Sequence, residues 1–452
     1  MLKFIFLKKI FIFLTLLFFS SLFKVHSQNG FRFLNSNDKK QRVKFQLINN
    51  LIIVPVEING KKLSFILDSG VNKTIIFNLS ENDSIGLLNT EKVNLTGLGG
   101  GKPVEALLSK NNKLSIKGIA SFNESVYVIL KDYFDLSGKM GTTIHGIIGY
   151  NLLRNFIIKI NYRTKKIDFY NPEKYSYKKC RKCEVLPIQF YRKKPFVNVK
   201  VQLDTIGNEL TNVKLLIDSG GSDALWLFEH TKKNIVTPKR YFNDILGEGL
   251  SGSIYGNRSR IPKLIIGQFE IEEPTVSFLD TVSTKNARKF KRRNGSIGGN
   301  ILKRFKVWMD YPNKQIMLKK NSSFKSDFNY NMSGLDVVYA GKQLVREKEE
   351  IRVSDAYNND VNKNSTISFV TNFSYKFKPI FKIRTVVKNS PADKVGLQAN
   401  DLIVQINEKA AHNYTLNEII SKFQEKDKKR IRMTVNRNGD IIKFEFRLEK
   451  KV

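Results

Sequence analysis

Two aspartates of this 452-residue chain stand in the same short motif. Phe65-Ile66-Leu67-Asp68-Ser69-Gly70 recurs as Leu215-Leu216-Ile217-Asp218-Ser219-Gly220. Each copy is an apolar run that ends in a carboxylate, a hydroxyl and a glycine. Two carboxylates brought close together cannot both ionise cheaply, so they share a proton. The ionised member then acts as general base on a water held between them, and the protonated member polarises the group under attack. Such a titration belongs to the pair and not to either aspartate. Ser69 and Ser219 supply hydroxyls that fix the loops by hydrogen bonding, and Gly70 and Gly220 allow turns tight enough for the carboxylates to meet. A lone Asp-Ser-Gly is a common turn sequence; the repetition of its surroundings is what points to a site.

Those surroundings repeat in register. Gly97 lies 29 residues after Asp68 and opens a run with Gly99, Gly100 and Gly101; Gly247 lies 29 residues after Asp218 and opens a run with Gly249 and Gly252. Both runs are candidate flaps, mobile hairpins that exclude water and hold an extended ligand. Further on, Ile147-Ile148-Gly149 matches Ile297-Gly298, with Gly149 81 residues after Asp68 and Gly298 80 after Asp218. These segments read as scaffold behind the two loops. Two similar halves that each present one carboxylate imply a site at a pseudo-twofold axis. Ser219 as a serine nucleophile is a poor reading, because no histidine is placed to activate it. His26, His145, His230 and His412 form no ligand cluster, so no metal is expected. Asp168 and Asp310 read as solvated surface.

The elements that must carry these residues are strands. Residues 44–58 read as one strand with Leu51-Ile52-Ile53-Val54 at its heart, and Asn59-Gly60 is a two-residue hairpin signal. Leu63 to Leu67 then delivers Asp68. Leu114-Ser115-Ile116, Val126 to Leu130 and Phe156 to Ile160 follow, rich in β-branched and aromatic residues. The second half repeats the order, with Leu264-Ile265-Ile266 matching residues 114–116 and Val307 to Tyr311 matching Ile158 to Tyr162. Residues 152–155 read as a short helical turn. Each half is expected to form a small closed or partly closed β barrel. Residues 321–331 read as a linker and residues 341–366 as a polar insertion or mobile loop. In the tail, Thr415-Leu416-Asn417-Glu418 is a capping box that opens a helix. Arg437-Asn438-Gly439-Asp440 is a hairpin turn between two strands.

Residues 44–320 resemble the pepsin and retropepsin class of aspartic peptidases, in which each half supplies an Asp-Thr/Ser-Gly loop, a glycine-rich flap and an apolar-apolar-Gly segment behind the loop. Ile147-Ile148-Gly149-Tyr150-Asn151-Leu152-Leu153 is closest to the retroviral type. No flap tyrosine of the pepsin kind is identified, and both loops carry Ser in place of Thr. Residues 332–450 resemble a PDZ domain of the kind appended to bacterial envelope proteases. Ser390-Pro391-Ala392, Gly396-Leu397, Asp401-Leu402-Ile403 and Ile406-Asn407 carry that match, with Asn400 where the pattern usually has Gly. The peptide-carboxylate loop is placed at Lys378-Pro379-Ile380-Phe381, which lacks the usual glycines. The resemblance implies a mainly β chain: two tandem acid-protease-like β-barrel lobes, then a small α+β PDZ domain. It also implies an aspartic endopeptidase that needs no cofactor, with Asp68 and Asp218 as the catalytic pair. The expected organisation is a signal peptide at 1–27, lobe 1 at 28–178, lobe 2 at 179–322, and linker and PDZ domain at 323–452.

Composition sets the compartment and the partners. Lys3, Lys8 and Lys9 precede an apolar run at residues 10–23 and a small-residue site at Val25-His26-Ser27, the pattern of a cleaved signal peptide. Export to the periplasm or the exterior follows. The net charge is +36. Its spread along the chain, without interleaved recognition aromatics, argues against nucleic acid and for weak association with anionic envelope surfaces. Cys180 and Cys183, the only cysteines, read as a structural pair in the joint between the halves. The expected partners are a peptide or protein substrate and a peptide ligand of the PDZ domain. Two rivals stand beside the enzyme: a non-catalytic peptide-binding scaffold, and a structural envelope protein whose cationic surface docks on anionic glycans or lipids.

Overall fold

The computed structural model describes residues 30–79, 85–97, 101–130, 135–204, 207–249, 252–354 and 367–452. The fold is mainly β, and its longest described helix is Leu416–Lys422. Among the described residues no helix is long and apolar enough to cross a membrane. The leader expected at 1–27, and Gly99 and Gly100 of the first glycine run, lie outside the described residues.

Lobe 1 is wound by asparagine turns. Asn59 and Gly60, with φ of 48° and 92°, close the hairpin between Leu51–Ile58 and Lys61–Leu67. Asparagine and glycine take this left-handed conformation at low cost, which is why the pair specifies a tight hairpin. Residues 44–58 are not the one continuous strand expected. Asn49 and Asn50, with φ of 47° and 66°, turn Gln46–Ile48 back antiparallel onto Leu51–Ile58. The barrel is a ring: Ile119–Val128, Thr74–Ile76, Gly146–Ile148, Lys61–Leu67, Leu51–Ile58 and Val104–Ile116, closed where the last pairs with the first. Lobe 2 repeats this order from Thr275–Leu279 through Leu225–Phe228, Gly295–Ile297, Leu210–Ile217 and Lys194–Gln202 to Lys263–Ile266. There Pro262, which has no N–H to donate, parts Lys263–Ile266 from Gly252–Arg260, so a single long strand like Val104–Ile116 does not form.

The lobes are fused through a six-stranded sheet ordered Cys183–Pro187, Gln315–Lys320, Phe305–Asp310, Ile157–Asn161, Lys166–Tyr170, Lys40–Lys44. Its middle pair is antiparallel and sets Ile158 opposite Met309 and Ile160 opposite Val307. These side chains are buried in one hydrophobic core that draws on both lobes. Each such aliphatic contributes about 2 kcal/mol when fully buried, so the sheet holds the two lobes together.

Asp168 and Asp310 sit in this sheet and are not solvated surface as expected; they are 5% and 0% exposed. The Arg42 guanidinium grips Asp168 with Nε at 2.5 Å and Nη2 at 3.1 Å. Burial would raise the Asp168 carboxyl, but the Arg42 hydrogen bonds and charge hold it below the usual range. Asp310 accepts from the Tyr177 hydroxyl at 2.6 Å and from Asn313 N and Nδ2 at 3.0 and 2.9 Å. Cys180 and Cys183 are joined by a disulfide beside this sheet.

Residues 321–331 link the lobes to the tail but do not hang free. Phe328 is buried in the lobe core and Tyr330 in the tail core. The tail is a sheet ordered Leu335–Ser354, Ile367–Val386, Leu402–Ile406, Arg430–Arg437, Asp440–Arg447. The expectation of a loop at 341–366 is overturned for 341–354, which continue the first strand of a long hairpin; 355–366 lie outside the described residues. Its polar sequence hid an alternation that the pairing reveals. Leu344 faces Phe377 and Arg346 faces Tyr375 on one side, while Lys376 and Lys378 pair with Glu347 on the other. The capping box is present, with Thr415 accepting from Glu418 N and Glu418 accepting from Thr415 N. Asn438 and Gly439, with φ of 55° and 106°, make the last hairpin turn.

Candidate active site

The two Asp-Ser-Gly loops meet at the axis between the lobes. Each is delivered by a strand and held from behind by the apolar segment read from the sequence. Gly146–Ile148 runs parallel to Lys61–Leu67, and Gly295–Ile297 runs parallel to Leu210–Ile217. Asp68 N donates to Ile148 O at 2.8 Å, and Asp218 N donates to Ile297 O at 2.9 Å. Gly149 and Gly298 occupy equivalent places just beyond. A Cβ at Gly149 would lie 2.0 Å from Asp68 O, and one at Gly298 would lie 2.3 Å from Asp223 O, so no side chain fits at either position. Ile148 and Ile297 are buried, and Ile147 is half-buried.

The serines cross-link the loops with four hydrogen bonds in a reciprocal pattern. Ser69 N donates to Ser219 Oγ and Ser219 N donates to Ser69 Oγ, both at 3.0 Å. Ser69 Oγ donates to Ile217 O at 2.6 Å, and Ser219 Oγ donates to Leu67 O at 2.7 Å. Both serines are buried, at 0% and 2% exposure. The bonds pin the last residue of each strand to the opposite loop, which leaves the two aspartates facing each other. Gly70 N donates to Asp68 Oδ1 at 2.6 Å, and Gly220 N donates to Asp218 Oδ1 at 3.2 Å. A Cβ at Gly70 would lie 3.1 Å from an oxygen of each carboxylate, and one at Gly220 would lie 2.3 Å from Asp68 Cγ. Only glycine permits this approach.

Both carboxylates keep some access to solvent. Burial first, and the Asp218 charge second, push the Asp68 carboxyl up to about 7; the Gly70 N–H and the Lys194 ammonium pull the other way. A hydrogen bond between the two carboxyls adds to the rise. The pair therefore holds one proton over a range reaching toward neutral pH. Chemically it can take a proton from a water and give one to an oxygen without any change in its own total charge.

Three groups around the pair were not singled out from the sequence. Lys194, at the start of Lys194–Gln202, is lowered by burial and then by Arg293, while both aspartates raise it. Arg293 is buried and lowered to about 10, chiefly by burial, with Asp218 opposing. Tyr311 is pushed up by burial and then by Asp68 and Tyr150, so its phenol stays protonated. In a chain with so many basic residues, nothing in the spacing marks these two cations; only the fold buries Arg293 and half-buries Lys194.

The described parts of both glycine runs belong to strand hairpins. Thr90–Leu95 pairs with Val104–Ile116 from Leu95 and Val104 outward, with Gly97 and Gly101 in the connection. Gly97 O accepts from Asn286 Nδ2 of lobe 2 at 3.0 Å. Phe242–Gly249 pairs with Gly252–Arg260 down to Gly249 opposite Gly252, and Gly247 sits at a bulge. At the root of this second hairpin, Arg258 bridges two carboxylates, Asp223 Oδ1 at 3.1 Å and Asp244 Oδ2 at 2.7 Å. Burial disfavours that guanidinium's charge, but the Asp223 and Asp244 charges outweigh it and raise Arg258. Arg258 and both its partners line a cavity of about 970 Å³ shared by the lobes and the tail, with Ser222, Leu246, Leu335 and Ile420 also in its lining.

The placement of a peptide-carboxylate loop at Lys378, Pro379, Ile380 and Phe381 is overturned. These residues lie inside the strand Ile367–Val386, paired with Lys342, Gln343 and Tyr339. Pro379 stands at an irregularity of the pairing, where a strand tolerates proline. Tail residues that do line the cavity include Gly334, Leu335 and Val337 of the neighbouring segment and Ile420 and Gln424. Among the described residues no group of three His, Cys, Asp or Glu side chains is arranged to hold a metal ion.

The comparisons with known proteins fall on these same segments. A family model described as aspartyl protease matches residues 54–152, and one described as PDZ domain matches residues 382–437. The chain carries an aspartyl protease domain and a PDZ domain. The aspartyl protease match runs from within Leu51–Ile58 to the helix Tyr150–Leu153 and so spans the loop, glycine hairpin and backing segment of lobe 1. A crystal structure of an aspartic proteinase from Irpex lacteus is similar to this chain at 14% identity with a TM-score of 0.41, over 64% of this chain and 99% of that one. No curated protein matches the sequence.

Proposed function

We propose that this chain is an exported aspartic endopeptidase that hydrolyses peptide bonds with Asp68 and Asp218. The observation that carries the reading is the reciprocal four-bond link between Ser69 and Ser219, which holds two carboxyls together around one shared proton. Water adds to the scissile carbonyl carbon. One water proton passes to the ionised carboxylate, and the proton of the other carboxyl passes to the carbonyl oxygen, giving a gem-diol. The C–N bond then breaks as the first carboxyl protonates the nitrogen, and a gem-diol hydroxyl returns a proton to the second. The pair ends in its starting state, and no further group is consumed.

Export is supported by the basic, apolar and small-residue order of the first 27 residues and by the Cys180–Cys183 disulfide, which suits an oxidising compartment. The PDZ domain is read as a second peptide-binding element, since its segment 334–337 and the helix Leu416–Lys422 face the cavity shared with the lobes. The test is digestion of an unfolded protein across pH 3–8 by the mature chain and by Asp218→Asn. Wild type should cut and the variant should not; equal cleavage by both would sink the mechanism.

A further inference from the structure

The long hairpin of the tail has a side that neither the cleft nor the cavity uses. Leu335–Ser354 and Ile367–Val386 form this hairpin, and Phe381 and Lys382 pair it to the next strand, Leu402–Ile406. Outward from Lys342 and Pro379 the two strands are paired only with each other.

Alternation along a strand sends every second side chain to the same side. On one side stand Lys342, Leu344, Arg346 and Lys348, opposite Pro379, Phe377, Tyr375 and Phe373. Phe377 is 71% exposed, Tyr375 64%, Leu344 58% and Phe373 48%. Large apolar side chains scattered singly over a surface are ordinary, whereas adjoining ones form a patch that marks an interaction surface. From Phe373 to Phe377 is about 13 Å along the strand, so the rings of Phe373, Tyr375 and Phe377 make one row.

Charge separates the two sides. Over Lys342 to Lys348 and Phe373 to Pro379, the side with the rings carries cations and no carboxylate. The Arg346 guanidinium lies 3.6 Å from the Phe373 ring centroid, stacked on a ring rather than paired with an acid. On the other side Glu347 engages Lys378 at 2.7 Å and Lys376 at 3.3 Å. The aromatic side is thus the one that still presents positive charge outward.

We propose that this side of the hairpin is a docking surface for an anionic lipid bilayer. Aromatic rings seat at the level of the lipid headgroups, and lysine and arginine stems lie along them while their charged heads reach phosphate. The row is a flat ribbon, and none of its side chains lines the cavity between lobes and tail. A bilayer meets such a ribbon without a pocket to fill. A second copy of the chain is a poor occupant, because it would bring the same cationic side on a molecule of net charge +36. The surface is independent of whether Asp68 and Asp218 cleave peptides.

The test is co-sedimentation of the mature chain with vesicles of phosphatidylcholine alone and of an equal mixture of phosphatidylcholine and phosphatidylglycerol. The chain should bind the anionic vesicles, less so as salt is raised. Lys342→Gln together with Arg346→Gln should weaken binding about twentyfold, at about fivefold per cation near the surface. Lys376→Gln with Lys378→Gln removes the same charge from the other side, about a Debye length further off, and should weaken it less than about threefold. Phe377→Trp should gain a blue-shifted emission on the anionic vesicles, against the background of the buried Trp226 and Trp308. Lys342, Arg346 and Phe377 are exposed, and an unchanged urea midpoint checks that their variants are folded. The proposal is overturned by absence of binding, by equal losses in the two charge-matched pairs, or by an unshifted Phe377→Trp emission. Retention on an anionic polysaccharide without vesicle binding overturns the bilayer as the occupant, and so does a dimer that Phe377→Ser disperses. A chain that binds vesicles in this way but cuts no peptide overturns the peptidase reading alone.

Discussion

Replacing Ser69 with alanine tests the geometry at its narrowest point. The substitution deletes two of the four bonds that tie the loops, Ser69 Oγ to Ile217 O and Ser219 N to Ser69 Oγ. It leaves the Ser219 N–H and the Ile217 carbonyl without these partners in a region from which water is excluded, since Ser69 is 0% exposed. A typical net hydrogen bond contributes about 1 kcal/mol, and a stranded buried polar group costs about 1–3 kcal/mol. Ser69→Ala should therefore cost about 2–4 kcal/mol. Ser219→Ala deletes the other two bonds and should cost the same, because the two sets are related by the axis and share no member. Urea unfolding followed by the fluorescence of Trp226 and Trp308 measures both, and the midpoints should fall with the slope unchanged. Losses below about 0.5 kcal/mol in both variants, or a large loss in only one, would refute a reciprocal lattice as the device that joins the loops.

Two other outcomes are expected. Arg258→Ala strands Asp223 and Asp244 together at the root of the second hairpin and should cost about 3 kcal/mol in thermal or urea unfolding; a loss near zero would mean that the bridge is not formed. Asp68→Asn should gain stability relative to wild type as pH rises from about 4 to 7. The folded-state carboxyl is raised, to about 7, so the native protein binds more protons than the unfolded chain in that window and wild type loses stability there. Parallel stability–pH curves for the two proteins would contradict it.

Much of the site was legible because it is written twice. The loops, their backing segments and the glycine hairpins keep their spacing, and the Asn59-Gly60 and Asn438-Gly439 turns need no tertiary context to form. What escaped depends on distant partners. Asp168 is buried because Arg42, 126 residues away, reaches it, and no local pattern announces that. Asn49-Asn50 was absorbed into a strand although two adjacent asparagines are a turn signal of their own. The polar run at 341–354 read as a loop because its strand pairing is with a segment further along the chain, from Ser354 with Ile367 to Lys342 with Pro379. Lys194 and Arg293 were lost among many lysines and arginines, and only the fold, which half-buries the first and buries the second, separates them from the rest.

The root of the second glycine hairpin has one more partner. Phe242, its first residue, packs into the tail core and lies 5.1 Å from the Tyr330 ring, and Arg260, its last, donates through Nη2 to Phe328 O at 2.6 Å. The hairpin of lobe 1 reaches instead to Asn286 of lobe 2. The tail is thus not a bead on a string that can be cut away to leave an intact front end. Severing it near residue 330 would strip an aromatic seat and a guanidinium anchor from the second glycine hairpin, and would also remove Asn417, which accepts from Asn49 N of lobe 1 at 3.3 Å. Loss of function in such a truncated chain would report a loosened hairpin as readily as a lost recognition module, so point changes on the tail's cavity-facing surface are the cleaner dissection.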